Sequence, residues 1–208
     1  MTYGQPTREY WDELYRRNEY VYGTEPNRYL VEKASQLRPG MKALVVGDGE
    51  GRNGVWLASR GLVVVSVERS CCGVEKARRL AHEKEVELEF ECSDLLQWTW
   101  PREEFDIAVA VYLHLGEMER GTIHRHMENC LKPGGLLLLE AFRRSRSIEP
   151  GDGIAQQYAL YTTGLLRRDF CDFEFIELLE GTVALNEGAM HQGQAEIVRL
   201  FARKKMQF

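Results

Sequence analysis

From residue 41 onward, hydrophobic positions along this 208-residue chain fall into two alternating kinds of segment. Nearly continuous apolar runs occupy residues 41–46 (MKALVV), 62–68 (LVVVSVE), 105–113 (FDIAVAVYL) and 136–142 (LLLLEAF), with a weaker alternating stretch at 88–92. Runs of this length, bounded by turn residues, predict strands covered on both faces. Between them, residues 53–59 (NGVWLAS), 73–84 (GVEKARRLAHEK) and 117–131 read as helices. Gly61 stops the first of these. Lys132-Pro133-Gly134-Gly135 stops the third, because proline and paired glycines do not continue a helix. Strand and helix in regular alternation predict a parallel sheet with helices on both faces and right-handed crossovers.

The end of the chain breaks that alternation. After a helix at 163–170, residues 174–185 and 196–204 read as two strands with only a loop between them. Strands joined without a crossover are antiparallel. The expected fold is therefore α/β, a seven-stranded, mostly parallel sheet closed by an antiparallel C-terminal hairpin. One domain is expected over 1–208, an N-terminal helical segment (1–40) preceding the α/β core (41–208).

Charge and cysteine content limit the partners. Lys plus Arg is 27 against 32 Asp plus Glu, a net charge of −5 that lacks the basic surplus of a nucleic-acid binder. No stretch approaches the roughly 18 uninterrupted apolar residues of a membrane helix. The polar, aromatic start is not that of a signal peptide. Five cysteines without C-x-x-C spacing predict reduced thiols and a cytoplasmic protein. No Cys/His/carboxylate cluster has zinc spacing, so no metal is expected.

Candidate chemistry begins where the first strand ends, at Gly47-Asp48-Gly49-Glu50-Gly51-Arg52-Asn53. Glycines there let the backbone turn sharply and let a ligand approach it. In open α/β sheets ligands bind at the carboxyl ends of the strands, where strand order reverses. Twenty-one residues after Gly47, the second strand ends at Glu68, whose carboxylate suits the two hydroxyls of a ribose. Asp94 follows the third strand and suits an adenine amino group. The glycines permit two readings. Gly49 to Gly54 satisfies G-x-G-x-x-G, the dinucleotide fingerprint of nicotinamide-dependent oxidoreductases. Read from Gly47, the loop is G-x-G-x-G, and the chain has neither a second mononucleotide half nor a separate substrate domain.

The order of these motifs resembles that of the class I S-adenosylmethionine-dependent methyltransferases, most of all the small tellurite-resistance and thiopurine methyltransferase-like group. The resemblance is carried by the glycine loop, Val67-Glu68, Ser93-Asp94-Leu95, the 105–113 strand, Leu131-Lys132-Pro133-Gly134-Gly135 and the N-terminal Trp11-Asp12-Glu13 and Tyr22-Gly23-Thr24-Glu25-Pro26-Asn27. It implies S-adenosylmethionine as cofactor and a small-molecule acceptor: a thiol, a chalcogen oxyanion or a small heterocycle. It implies cofactor contacts from Trp11, Gly47, Asp48, Gly49, Gly51, Asn53, Glu68, Arg69, Asp94, Leu95, Val111 and Tyr112. One departure stands out. Val45 occupies the position where the family usually carries an acid, and Asp48 offers a substitute carboxylate. A non-catalytic nucleotide-binding protein of the same fold is the alternative that Val45 keeps open.

Methyl transfer from a sulfonium needs mainly a positioned nucleophile and exclusion of water. Only an acceptor with a proton to lose needs a base. Two histidines qualify. His114 follows Tyr112 on the fourth strand and shares its face if that strand persists. His191, in the hairpin loop, lies near the pocket mouth by family placement. The dense N-terminal aromatics, Tyr3, Tyr10, Trp11, Tyr15, Tyr20, Tyr22 and Tyr29, read as a packed helix and a lid. Arg8, Arg16 and Arg17 on that lid would attract an anionic acceptor, and residues 143–160 would complete the pocket.

Overall fold

The computed structural model describes residues 7–143 and 161–206. Seven strands form one sheet in the order β3-β2-β1-β4-β5-β7-β6. Strands β1 (Lys42–Val46), β2 (Val63–Glu68), β3 (Glu89–Cys92), β4 (Phe105–Val111) and β5 (Leu131–Phe142) run parallel. The C-terminal strands β6 (Phe173–Glu187) and β7 (His191–Lys204) pair antiparallel to each other, and β7 pairs antiparallel to β5. The strand order reverses at β1, between β2 and β4. This is the α/β architecture with an antiparallel end that the hydrophobic pattern predicts.

Side-chain alternation on the central strands divides the core. Ala108 and Ala110 of β4 join Leu137 and Leu139 of β5 on one face, under α5 (Glu117–Cys130) and α6 (Thr163–Asp169). Ile107, Val109, Leu136 and Leu138 occupy the other, with Tyr29 and Leu30 of α2 (Arg28–Glu32) and Leu57 of α3 (Arg52–Ser59). Both faces are buried, so these strands carry no polar alternation. Helix α1 (Arg8–Tyr15) packs on α4 (Cys71–Glu83) and buries Trp11, Leu14 and Tyr15.

Several boundaries differ from expectation. The fourth strand stops at Val111, and Tyr112 takes a left-handed φ of 50°, so strand alternation does not relate Tyr112 to His114. The fifth strand starts at Leu131, where the helix was expected to continue. The ladder passes from Phe105↔Leu131 to Ile107↔Leu136, so Lys132-Pro133-Gly134-Gly135 bulges out opposite Asp106, whose carboxylate accepts from Lys132 Nζ at 2.7 Å. The hairpin is longer than expected, and the loop shrinks to Gly188-Ala189-Met190, which places His191 on β7. Cys71 and Cys92 form a disulfide, contrary to the expectation of reduced thiols. They lie 21 residues apart in sequence but meet where the ends of β2 and β3 adjoin. No helix among the described residues is long and apolar enough to cross a membrane. The pocket-completing stretch expected at 143–160 lies, beyond Arg143, outside the described residues, as does Tyr3.

Candidate functional site

A pocket opens at the carboxyl ends of β1, β2 and β4, beside the reversal of strand order. Its floor is the glycine loop. Gly47 and Gly49 line it, and a Cβ built on Gly49 would stand 2.8 Å from the Tyr15 hydroxyl, so a side chain there would collide with the roof. Gly51 is the exception among the expected contacts. It caps α3 with a left-handed φ of 89° and packs on Ala77 instead of facing the cavity.

Two buried carboxylates shape the floor. Glu68 accepts from the backbone N–H of Gly49 at 2.9 Å and of Ser70 at 2.8 Å, one bond on each oxygen, which leaves further lone pairs. Asp48 turns into the protein. It accepts from the Gly54 N–H at 3.1 Å and the Ser66 hydroxyl at 2.9 Å, fastening the loop to α3 and to β2. Burial raises both carboxyl groups, Asp48 to about 7, and the charge of Glu68 adds to the rise at Asp48. Their nearest cations are engaged elsewhere: Arg52 with Glu187 at 2.9 Å, and Arg69 with Asp94. The floor is short of positive charge, which suits a cationic ligand.

Val45 is fully buried among apolar neighbours, and Asp48 holds the loop through the bonds given above. Asp94 and Leu95 line the pocket, with Asp94 also accepting from the Leu96 N–H at 2.9 Å. Asn53 lines it and accepts from the Asn27 N–H at 2.9 Å, tying the segment before α2 to the loop. Trp11, Arg69, Val111 and Tyr112 line it as well.

The roof joins segments far apart in sequence. Trp11 and Tyr15 stack at 5.7 Å between ring centroids, and Tyr15 meets the edge of Tyr22. Tyr22 in turn lies 4.4 Å from the His191 ring. The β6–β7 turn clasps this segment: the Met190 N–H reaches the Val21 carbonyl at 3.3 Å, and Gly188 abuts the backbone of Gly23. Glu50 accepts from the Val21 N–H at 2.7 Å and pairs with Lys76, itself buried.

Both candidate histidines line the pocket, in different states. His114 is buried beside Trp11 and is pushed down to about 4, chiefly by desolvation, so it is neutral near pH 7. His191 sits 3.2 Å from Glu187 through Nδ1, and that carboxylate also takes Arg52. Next to them, the Tyr112 hydroxyl donates to Glu140 at 2.7 Å, and Glu140 also accepts from Asn27 and Arg199. Arg8 does not face the pocket; its guanidinium lies on the Cys71 and Cys92 sulfurs. Sequence reasoning missed Glu50, Arg52, Val67 and Leu113 as lining residues. The first two are the variable positions of the glycine loop, and their place there was the available signal. Glu187, which holds Arg52 and His191 without lining the pocket, carried none, since Arg52 is remote in sequence.

Residues 43–135 match the family model of a methyltransferase domain. Over those residues, somewhat under half of the chain, the similarity is to methyltransferase domains. Phosphoethanolamine N-methyltransferase 1 of Arabidopsis thaliana is 31% identical over 124 residues, covering 59% of this chain and 25% of that protein. The ubiquinone biosynthesis O-methyltransferase of Coxiella burnetii is 28% identical over 120 residues, 55% of this chain and 49% of that protein. The chain thus spans about a quarter to a half of the length of these relatives. TehB from Haemophilus influenzae superimposes with a TM-score of 0.73 over 95% of this chain and 67% of its own, at 19% identity, a likeness of fold.

Proposed function

We propose that this protein transfers the methyl group of S-adenosylmethionine to a small-molecule acceptor that loses a proton in the reaction. The observation that carries this is the pocket itself. Glu68 and Asp94 stand at successive strand ends, an anionic floor lies below, and a closed aromatic roof lies above. Glu68 holds the ribose hydroxyls through its remaining lone pairs, and Asp94 takes the adenine amino group. The backbone of Gly47 and Gly49 lies against the methionine portion. The donor, when bound, supplies a methyl group made electrophilic by its sulfonium, whose charge the floor complements.

The chain's own residues do the rest. Trp11, Tyr15 and Tyr22 exclude water and leave room for a compact acceptor. Glu187 accepts from His191 Nδ1–H, which fixes the tautomer and leaves Nε2 as the proton acceptor. We assign the base to His191 on this geometry, since His114, pushed down to about 4 by burial, has little driving force to take a proton at pH 7. His114 instead packs Trp11 over the pocket. The relatives' printed names, an N-methyltransferase of an amine and an O-methyltransferase, both point to acceptors of the proton-losing kind. Thiols and small heterocycles share that property.

Calorimetry with S-adenosylhomocysteine tests the cofactor, and turnover on amine, hydroxyl, thiol, selenite and tellurite acceptors tests the rest. Glu68→Ala is expected to weaken cofactor binding. His191→Gln is expected to cut turnover about 100-fold on protic acceptors with the cofactor Kd unchanged. Failure to bind S-adenosylhomocysteine at millimolar concentration would overturn the reading. Tight binding without transfer to any acceptor would favour a non-catalytic role.

A further inference from the structure

The Cys71–Cys92 disulfide lies where three parts of the pocket converge. Cys71 is three residues beyond Glu68 and the first residue of α4; Cys92 is two residues before Asp94 and the last residue of β3. Glu68 and Cys92 form the final rung between β2 and β3, followed only by the Ser93 N–H to Glu68 carbonyl bond at 2.9 Å and the Arg69–Asp94 pair. Strand β3 is a four-residue edge strand with no fully buried residue, and beyond these contacts the Asp94 loop is held mainly by Leu95, which is buried in the core. The roof reaches the same point. Arg8 Nη2 of α1 lies 2.6 Å from Cys71 Sγ and 3.1 Å from Cys92 Sγ, and Asp12 of α1 accepts from the Ser70 hydroxyl at 2.6 Å.

We propose that Cys71 and Cys92 are a reversible redox modification site that sets the domain's affinity for S-adenosylmethionine, the disulfide form binding more tightly. The proposal rests on the reading in which Glu68 and Asp94 hold the ribose and adenine. Closed, the bridge pins the two loops at the spacing that one nucleoside must span. Open, it frees the Asp94 loop at a sheet edge and removes the sulfurs' fixed geometry from under Arg8.

The surroundings make the bond exchangeable. Cys71 is exposed, stands at the N-terminus of a 13-residue helix and faces a guanidinium. Each of these favours a thiolate, and a stabilised thiolate leaves readily in exchange. Asp12 opposes them, but its charge is taken up by Ser70, the Cys72 N–H and Arg8. Reduction by a dithiol such as dithiothreitol transfers two electrons and two protons. The reagent's two S–H bonds become its ring disulfide, while the Cys71–Cys92 bond becomes two thiols. Oxidation by glutathione disulfide runs the other way and releases two molecules of glutathione.

The test uses the whole chain, equilibrated with glutathione disulfide or with dithiothreitol. Maleimide labelling reads the number of free thiols, and calorimetry with S-adenosylhomocysteine reads affinity. The oxidised protein should label only at Cys72, Cys130 and Cys171. Its affinity should exceed that of the reduced protein about tenfold, within the usual range of coupling between sites. By reciprocity, saturating S-adenosylhomocysteine should then make the disulfide harder to reduce, by about 30 mV. Cys71→Ser should sit at the reduced affinity in either buffer, while Cys72→Ser should respond like wild type. Equal affinities in two states whose thiol counts differ would overturn the proposal, as would labelling of all five cysteines after oxidation. Absence of binding in both states would instead overturn the cofactor reading, and this proposal with it.

Discussion

Asp48 offers a quantitative check on the floor of the pocket. Its carboxyl group is buried, accepts two hydrogen bonds, and is still raised from 3.8 to about 7 because burial outweighs those bonds. A raised carboxyl binds its proton more tightly in the folded state, so the folded state is favoured at low pH and loses that advantage as pH rises from about 4 to about 7. The penalty on the folded state is about 2 kcal/mol at pH 5 and about 4 kcal/mol at pH 8, a difference of about 2–3 kcal/mol. Asp48→Asn keeps an acceptor for the Gly54 N–H and the Ser66 hydroxyl but does not titrate. Urea unfolding of both proteins at pH 5 and pH 8 isolates the effect, because groups away from Asp48 titrate alike in the two. The stability of the variant relative to wild type should rise by about 2–3 kcal/mol between those pH values. A difference that stays constant with pH, or falls, would refute the account of Asp48 as a buried carboxylate without a cation.

Two other perturbations test the roof. Gly188→Ala puts a Cβ into the Gly23 and Val21 backbone at a φ of 66°, whereas Gly193→Ala meets a φ of 88° with open space around it. The first should cost about 2–4 kcal/mol and weaken cofactor binding, and the second about 1 kcal/mol with binding intact, as measured by denaturation and calorimetry. Equal costs would mean that the turn does not clasp the roof. For His114, ring-carbon NMR titration should give a value near 4, and a value above 6 would contradict its burial. Because that value lies below the ordinary 6.5, the neutral ring stabilises the fold above about pH 6.5, and this contribution is lost as pH falls towards 4.

The sheet was legible because its signal is local. Residues 63–68 and 105–111 carry apolar side chains on both faces, and a strand between two helical layers demands that wherever it sits. The glycine loop was legible for the same reason, since a strand running into alternate glycines places a ligand-approachable turn at the sheet's edge. The disulfide was not. A spacing of 21 residues says nothing until β2 and β3 are known to be neighbours with Glu68 opposite Cys92. Tyr112 misled because a continuous apolar run suggested continuing alternation, while its backbone turns left-handed where Glu140 takes its hydroxyl. The place of His191 required knowing that the hairpin folds back onto residues 21–23, a contact between segments with no shared pattern.

That clasp bears on how the site works. The antiparallel pair β6–β7 lies at the far edge of the sheet from β3, yet its turn reaches the same pocket by running past the end of β5. It delivers His191 to one side of the cavity, with Glu187 hydrogen-bonded behind it, while the disulfide and Arg8 hold α1 at the other. The N-terminal segment is thus gripped at two points, by Gly188 and Met190 near Val21 and by Ser70 near Asp12. Trp11, Tyr15 and Tyr22 lie beside those grips, and an acceptor of the proposed kind would enter past them. Entry then requires only one grip to yield. The side-chain contacts of α1 with Ser70 and Cys71 are the weaker grip, compared with backbone packed on backbone at Gly188.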